Sequence, residues 1–591
     1  MRRLAGHIIS GLVLLLAASC GGKVDPNPVP PEPVIKDIPG RLVSIQEFGV
    51  LPTNPSALNK QNLQRAINEA AASGLALYVT PVENGYPIDG GLILKQNVSL
   101  IGAHGPTGRG TVNKDGTGPT GSLFVIRDRD NVFITVESST SIRGIQFYYP
   151  DQTWTDPNGI IPYPVTIQGT QQFNPQGVTL KDLTFYGEYF AMDFRHDSAC
   201  EQILFENCYG YPLSGRFIAI DHCYDIPRIL HCHVNPANMR EFGRSFAWPV
   251  VDKVISKKNF TYWIEHTDNA VLMDVFTFGN YGGIYLGSAT YGQMSNFNLD
   301  CVSIGLYIAS NRSWEIGQGC IIAYLGENVQ DVHPVVVAGV ESRAHTTLSG
   351  VDCFSVTNSN LASSVNACND FLYISGKGPS SVSLLGCKMS GYVADDPVTI
   401  ENTMASVSAV GCFDKDGNLY HKFIGPEYKY EKGTKTIFDN CDDASRWASG
   451  FGEVTVDTSD KMEGEGCISV TGKGIVIFTK KFDPVEVKVS HMHGHFHLWL
   501  YISDISGIDA ESDGVIEVTS SGTWDEDEYA WIIPTSSLKS GWNELDLRLS
   551  QAGRIYGTYP DLKAMNFFRI YHHGIKKDIT VKIDDMYFTE E

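Results

Sequence analysis

Short runs of alternating apolar and polar residues recur along most of this chain, which is the periodicity of half-buried strands. "AMDFRHD" at Ala191, "FIAIDHC" at Phe217, "TYWIEHT" at Thr261, "GIYLGSA" at Gly283 and "GLYIASN" at Gly305 are one such series. Within it Ile264, Leu286 and Ile308 follow one another at intervals of 22 residues. "PVVVAGV", "FLYISGK" and "PVTIENT" continue it with less regular insertions. Repeats of this length, each one short strand plus turns, predict a solenoid whose inward residues stack about 4.8 Å apart. The expected fold class is all-β: a right-handed parallel β-helix with an N-terminal capping helix, followed by a C-terminal β-sandwich.

The capping helix is read from "SALNKQNLQRAINEAAAS", residues 56–73. Leu63, Ile67 and Ala70 fall at helical spacing, Ser56 is available as N-cap and Gly74 as terminator. A solenoid end exposes apolar surface, and an amphipathic helix covers it. With "FGV" before it and "LALYVTPVENGYPIDGGLILKQNVSLIGA" after it, this stretch resembles the opening of the pectate-lyase-like β-helix superfamily, the set related to family 28 glycoside hydrolases. The resemblance is detailed over residues 45–102 and looser to about 420. It implies the fold and a carbohydrate-active background, but no particular reaction. Glu47 stands where these openings usually carry Asp, and neither the polygalacturonase signature nor the arginine-rich pectate lyase motif has a counterpart. No catalytic residue is therefore carried over.

After about Gly425 the character changes to "EYKYEKGTK" and then to strands separated by turn signals, among them "HFHLWLYISDISGI", "DGVIEVTSSGTWDEDEYAWIIP" and "VKIDDMYFTEE". That pattern predicts a sandwich. It resembles the galactose-binding-like jelly-roll modules of bacterial carbohydrate-active proteins. Asp442, Asp443, Asp584 and Asp585 could hold a structural calcium ion through hard oxygen ligands, or be solvated turn acids. No other metal and no cofactor is expected.

The amino terminus carries a targeting signal. Met1-Arg2-Arg3 is basic, and Ile8 to Ala18 is apolar but short for a membrane span. "LLLAASCGG" resembles a bacterial lipobox with Cys20 as the lipid-carrying residue; Ala17 occupies the place usually held by leucine. "DPNPVPPEPV" follows as an extended tether. The expected organisation is a lipoprotein signal peptide over 1–19, a lipidated cysteine and tether over 20–40, the β-helix over 41–424, a linker over 425–435 and the sandwich over 436–591. It implies export and lipid anchoring to a bacterial membrane, at the outer membrane or cell surface. The net charge of -22 argues against nucleic acid as a partner. Cys208, Cys232, Cys301, Cys320, Cys353, Cys387 and Cys412 each close an apolar run, which predicts free thiols stacked at one place in the coil. Cys441 and Cys467 lie outside that array and could form a disulfide.

Candidate chemistry follows from aligning the rungs on Phe194, Ile220, Ile264, Leu286 and Ile308. The next, outward residues are Arg195, Asp221, Glu265, Gly287 and Ala309, followed by His196, His222, His266, Ser288 and Ser310. The outward residues preceding the aligned ones are Asp193, Ala219, Trp263, Tyr285 and Tyr307. One face would thus carry stacked histidines, acids and an aromatic row. The longer gap between His222 and His266 is read as a loop over "PANMREFGRSFAWPVVDKVISKK", a groove wall supplying Arg240, Arg244, Lys253, Lys257 and Lys258. Carboxylates on neighbouring rungs suit glycoside cleavage, because close acids push one pKa up and leave an acid and a base at one pH. Asp221 and Glu265 are the expected pair, with Asp193, Asp197 and Asp268 in reserve. His196, His222 and His266 could relay protons or hold sugar hydroxyls. Asp193 and Arg195 would contact substrate, and Trp263, Tyr285 and Tyr307 would stack on sugar faces. The same residues admit a structural reading, as a hydrogen-bonded ladder at a β-helix corner. Three functions stay open: a glycoside hydrolase acting on a polysaccharide, a polysaccharide lyase using Arg195, Lys253 or Lys257 against a uronate, and a glycan-binding protein without catalysis.

Overall fold

The computed structural model describes residues 41–103, 112–195, 200–237, 246–310, 312–326, 331–338, 345–357, 360–376, 380–402, 404–425, 430–491, 493–552 and 559–591. The signal, Cys20 and the tether lie outside the described residues, as do His196, Asp197, Arg240 and Arg244.

From Leu42 onward the chain winds as a parallel β-helix. Eleven strands form one parallel sheet, here the front sheet, from Leu92–Leu94 through Phe190–Phe194, Arg216–Ile220, Phe260–Ile264, Gly282–Leu286 and Ile304–Ile308 to Val398–Ile400. Of the other strands of the coils, Cys200–Glu201 pairs with Cys223–Asp225 in a separate two-stranded sheet, and twenty-six build a back sheet. Its bend is set by a column of residues in the left-handed region: Asp182, Asn207, His231, Asp274, Asn296 and Gln318, then Gly350, Gly386 and Gly411. Asn, Asp and Gly tolerate positive φ best, so their recurrence marks the corner of each coil.

The predicted register holds. Ile220 pairs with Ile264, Ile264 with Leu286 and Leu286 with Ile308, and all four are fully buried. The cap helix spans Ser56–Ser73 and buries Leu63, Ala66, Ile67 and Ala70. Each fully buried leucine or isoleucine there contributes about 1.5–3 kcal/mol. Gly74 ends the helix at φ 64, but Pro55, not Ser56, is the N-cap; Ser56 is already the first helical residue.

The segment expected to be a loop between Val234 and Phe260 contains a helix, Trp248–Ile255, with Val250, Val251, Val254 and Ile255 buried. Two adjacent apolar pairs four residues apart make one helical face, which a search for strand alternation passes over. Lys253 is exposed on that helix, Lys257 lies over the Tyr189 ring at 4.5 Å, and Lys258 is exposed with φ 54.

The twelve described cysteines are free thiols, Cys441 and Cys467 included. Cys208 and Cys232 share one place just after the corner residue, as do Cys387 and Cys412. Cys301, Cys320 and Cys353 do not belong to that column. Cys301 itself has φ 51, while Cys320 and Cys353 lie within back-sheet strands at other registers.

Residues 435–590 form a sandwich of a six-stranded and a five-stranded antiparallel sheet. Phe496, Leu498, Phe568, Ile583 and Phe588 are among the side chains filling its core. Asp442 accepts the Glu465 and Gly466 amides, Asp443 holds Ser445, Asp584 accepts the Met462 and Glu463 amides, and Asp585 faces Lys435.

Candidate functional site

Parallel register turns a sequence repeat into a column of neighbours. Asp193 sits beside Ala219, Ala219 beside Trp263, Trp263 beside Tyr285 and Tyr285 beside Tyr307. The last three rings stack: Trp263 to Tyr285 at 4.0 Å and 14°, Tyr285 to Tyr307 at 5.5 Å and 15°. Phe260 abuts all three from the amino-terminal end of its strand, with centroids 5.6 to 6.1 Å away. The result is a half-buried aromatic floor on the outer face of the front sheet. Ala219 is fully buried and interrupts the aromatic row toward Asp193.

At the next position of the rungs stand the acids. The Glu265 amide donates to the Ile220 carbonyl, so Asp221 and Glu265 are one rung apart, about 4.8 Å at the backbone. The indole N–H of Trp263 donates to Glu265 Oε1 at 2.8 Å. Glu265 Oε2 lies over the α-carbon of Gly287, where a Cβ would come within 1.9 Å of it. Glycine at 287 is what gives this carboxyl its room. Burial and the neighbouring Asp221 push the Glu265 carboxyl above the ordinary glutamate range, against the Trp263 hydrogen bond, Arg195 and Arg216.

Asp221 Oδ1 accepts the backbone N–H of His222 at 2.8 Å and of His266 at 3.1 Å, tying together two successive turns. His222, at φ 51, places Nδ1 3.1 Å from the same oxygen but off the hydrogen-bond direction. The His222 and His266 rings are 5.6 Å apart, and Tyr224 meets His266 edge-on at 5.0 Å. Burial, then His222 and Arg312, lower the pKa of His266, so this imidazole is neutral near pH 7. Both histidines are part-exposed beside the acids, as the sequence alignment predicts.

Two cations complete the cluster. Arg195 grips Asp193 through Nε at 2.9 Å and Nη2 at 2.8 Å, and also feels Asp221 and Glu265. Arg216, which the sequence reading missed, lays its guanidinium over Trp263 at 4.4 Å, and its buried Nε has no hydrogen-bond partner among the described residues. Its signal was position: Phe190, Arg216 and Phe260 each stand four residues before the inward anchor of their rung. Of the reserves, Asp193 is held by Arg195, and Asp268 lies 3.7 Å from Arg312.

The aromatic floor continues past the residues singled out from sequence. Val336 and Tyr373 extend it, and at its far end His333 Nδ1 lies 2.9 Å from the buried Asp370 and stacks on Tyr373 at 4.5 Å. Tyr373 donates to Glu401 at 2.6 Å. These three rungs carry irregular insertions, which hid their register.

Fold and face together define a parallel β-helix carrying an acid cluster at one end of an aromatic floor, joined to a β-sandwich. No protein-family model matches the chain, and no curated protein does. Among solved structures it is similar to the enzymatically active domain of bacteriophage CBA120 tailspike protein 4, at 12% identity over 92% of this chain and 67% of that one, with a TM-score of 0.31. It is similar to DFA-IIIase from Arthrobacter chlorophenolicus, solved with DFA-III, at 10% identity over 63% and 94%, with a TM-score of 0.39. A family 11 carbohydrate-binding module from a Clostridium thermocellum cellulase matches 27% of this chain and 97% of its own, at 11% identity and a TM-score of 0.20. Likeness this distant carries no argument about activity, which rests on the site itself.

Proposed function

We propose that this chain is a carbohydrate-active protein whose front sheet cleaves a polysaccharide by glycoside hydrolysis. The observation that carries the reading is one shared face: Asp221 and Glu265 on adjacent rungs, beside the stack of Trp263, Tyr285 and Tyr307. Aromatic faces suit the apolar faces of pyranose rings, and the acids lie where a bound chain would pass.

In this mechanism Glu265 is the general acid. Trp263 occupies Oε1, so the proton sits on Oε2 above Gly287 and passes to the leaving glycosidic oxygen. Asp221 spends Oδ1 on two backbone amides and acts through Oδ2 as nucleophile or as base toward water. Arg195 balances the charge of both acids, and the neutral His266 holds a sugar hydroxyl. His222 lines the same turn. The lipobox and tether would anchor the enzyme through Cys20 at the bacterial surface, where polymeric glycans are met.

Arg216 favours a second reading. A half-buried guanidinium with an unsatisfied Nε beside an aromatic platform suits a uronate carboxylate, the group a lyase must neutralise before elimination.

The test is product release from pectin, alginate, xylan and inulin by the purified chain, with Asp221→Asn and Glu265→Gln alongside. The hydrolase reading expects reducing ends without an unsaturated-product absorbance, lost in both variants. Appearance of that absorbance would select the lyase, and undiminished release by both variants would reject the assignment.

A further inference from the structure

A second histidine–acid cluster lies in the sandwich, far along the sequence from the front sheet. The strand Gly494–Ile502 alternates cleanly: Phe496, Leu498, Leu500 and Ile502 point into the core, so His495 and His497 share the outer face. Asp546 on the neighbouring strand Gly541–Arg548 pairs with His497. One ligand atom from each of the three lies within 4.8 Å of the others.

The hydrogen-bond chain behind His497 fixes its tautomer. Thr589 Oγ1 gives its single hydrogen to Glu591 Oε1 at 2.8 Å. The same oxygen lies 2.7 Å from His497 Nε2, so it can only accept there, and Nε2 carries the ring hydrogen. The His497 Nδ1 is the nitrogen turned toward Asp546, 3.8 Å from Oδ1. A tetrahedral ion with bonds of about 2.0–2.2 Å would span roughly 3.4 Å between such ligands. Tyr587 stacks on His497 at 4.7 Å and 15°, fixing the ring plane. His495 Nδ1, 2.5 Å from the same carboxylate oxygen, completes the triad. Asp546 is more than half exposed and free to turn as an ion enters, while both histidine side chains are nearly buried.

We infer that His495, His497 and Asp546 form a binding site for a divalent transition ion of the zinc class. Two imidazole nitrogens and one carboxylate suit zinc and disfavour calcium or magnesium, which take all-oxygen shells. Three protein ligands leave the fourth position to water or to Glu544 on the same outward face. The Thr589–Glu591 pair orients His497 from behind, as outer-shell partners of metal-bound histidines do.

The test is zinc titration of the chelator-stripped, purified full chain by calorimetry, repeated with calcium and followed by thermal melting. One zinc per chain is expected, raising the melting temperature, with calcium without effect. His495→Ala and His497→Ala should each weaken zinc by about 100-fold and abolish the thermal shift. Thr589→Val leaves all three ligands in place and should weaken zinc about tenfold, which keeps the test decisive if a histidine variant misfolds. Glu517→Gln, in a separate acidic cluster of the sandwich where Glu517 pairs with Arg569, should leave zinc stoichiometry and affinity unchanged. No saturable uptake at micromolar zinc, or uptake unaltered in Thr589→Val and in the folded histidine variants, would overturn the inference.

Discussion

Two regions of this molecule bring histidines, acids and aromatic rings together, and they do so by different geometry. On the front sheet, His222 and His266 are neighbours because parallel rungs stack equivalent residues. In the sandwich, His495 and His497 alternate along one strand and meet Asp546 through antiparallel pairing with a segment some fifty residues away. The stacked acids of the front sheet lie beside an open aromatic floor and two arginines, an arrangement that meets a long ligand. The sandwich triad is compact, its rings nearly buried, an arrangement that meets an ion.

The comparison breaks most sharply at Gly287. Gly287→Ala forces a methyl group into Glu265 Oε2, and a displacement of about 1 Å in a reacting group costs roughly 100-fold in rate. Product release should fall by that factor while zinc uptake by the sandwich is unchanged. Trp263→Ala removes both the end ring of the stack and the hydrogen bond to Glu265. It should raise KM about tenfold. Trp263→Phe keeps the ring over the carboxyl and loses only the hydrogen bond that holds its pKa down, so it should shift the alkaline limb of the pH–rate profile upward.

Another effect falls on stability alone. Glu188 is fully buried in the β-helix, and burial raises its carboxyl to about 8. The folded state then keeps a proton that the unfolded chain releases near pH 4.5. Stability from this group is complete below that value, is lost progressively as pH rises to about 8, and is level above it. The total is on the order of 5 kcal/mol. Glu188→Gln should flatten the fall in melting temperature between pH 5 and 8, read by calorimetry, and leave product release unaltered.

Much of the front sheet was legible because its spacing is a repeat. Aligning Ile264, Leu286 and Ile308 at equal intervals placed Trp263, Tyr285 and Tyr307 in one column and Asp221 beside Glu265. Arg216 escaped because it belongs to a column four residues back that no repeated residue type marks. The helix Trp248–Ile255 escaped because one short 3.6-residue face sits inside a chain read for alternation. His333, Asp370 and Tyr373 escaped because insertions between their rungs erase the interval. Cys301, Cys320 and Cys353 misled for a related reason: closing an apolar run is not the same as sharing a register. The sandwich triad has no interval at all, since antiparallel partners meet at distances set by turn lengths, and "HMHGHFH" alone does not show which acid lies opposite.

The account turns on whether Glu265 supplies the proton for cleavage, and the direct measurement is turnover against binding in Glu265→Gln. With the polysaccharide that the wild-type chain degrades, the variant should bind within a few-fold of wild type by calorimetry while turnover falls about 1000-fold. Turnover within a few-fold of wild type would contradict it.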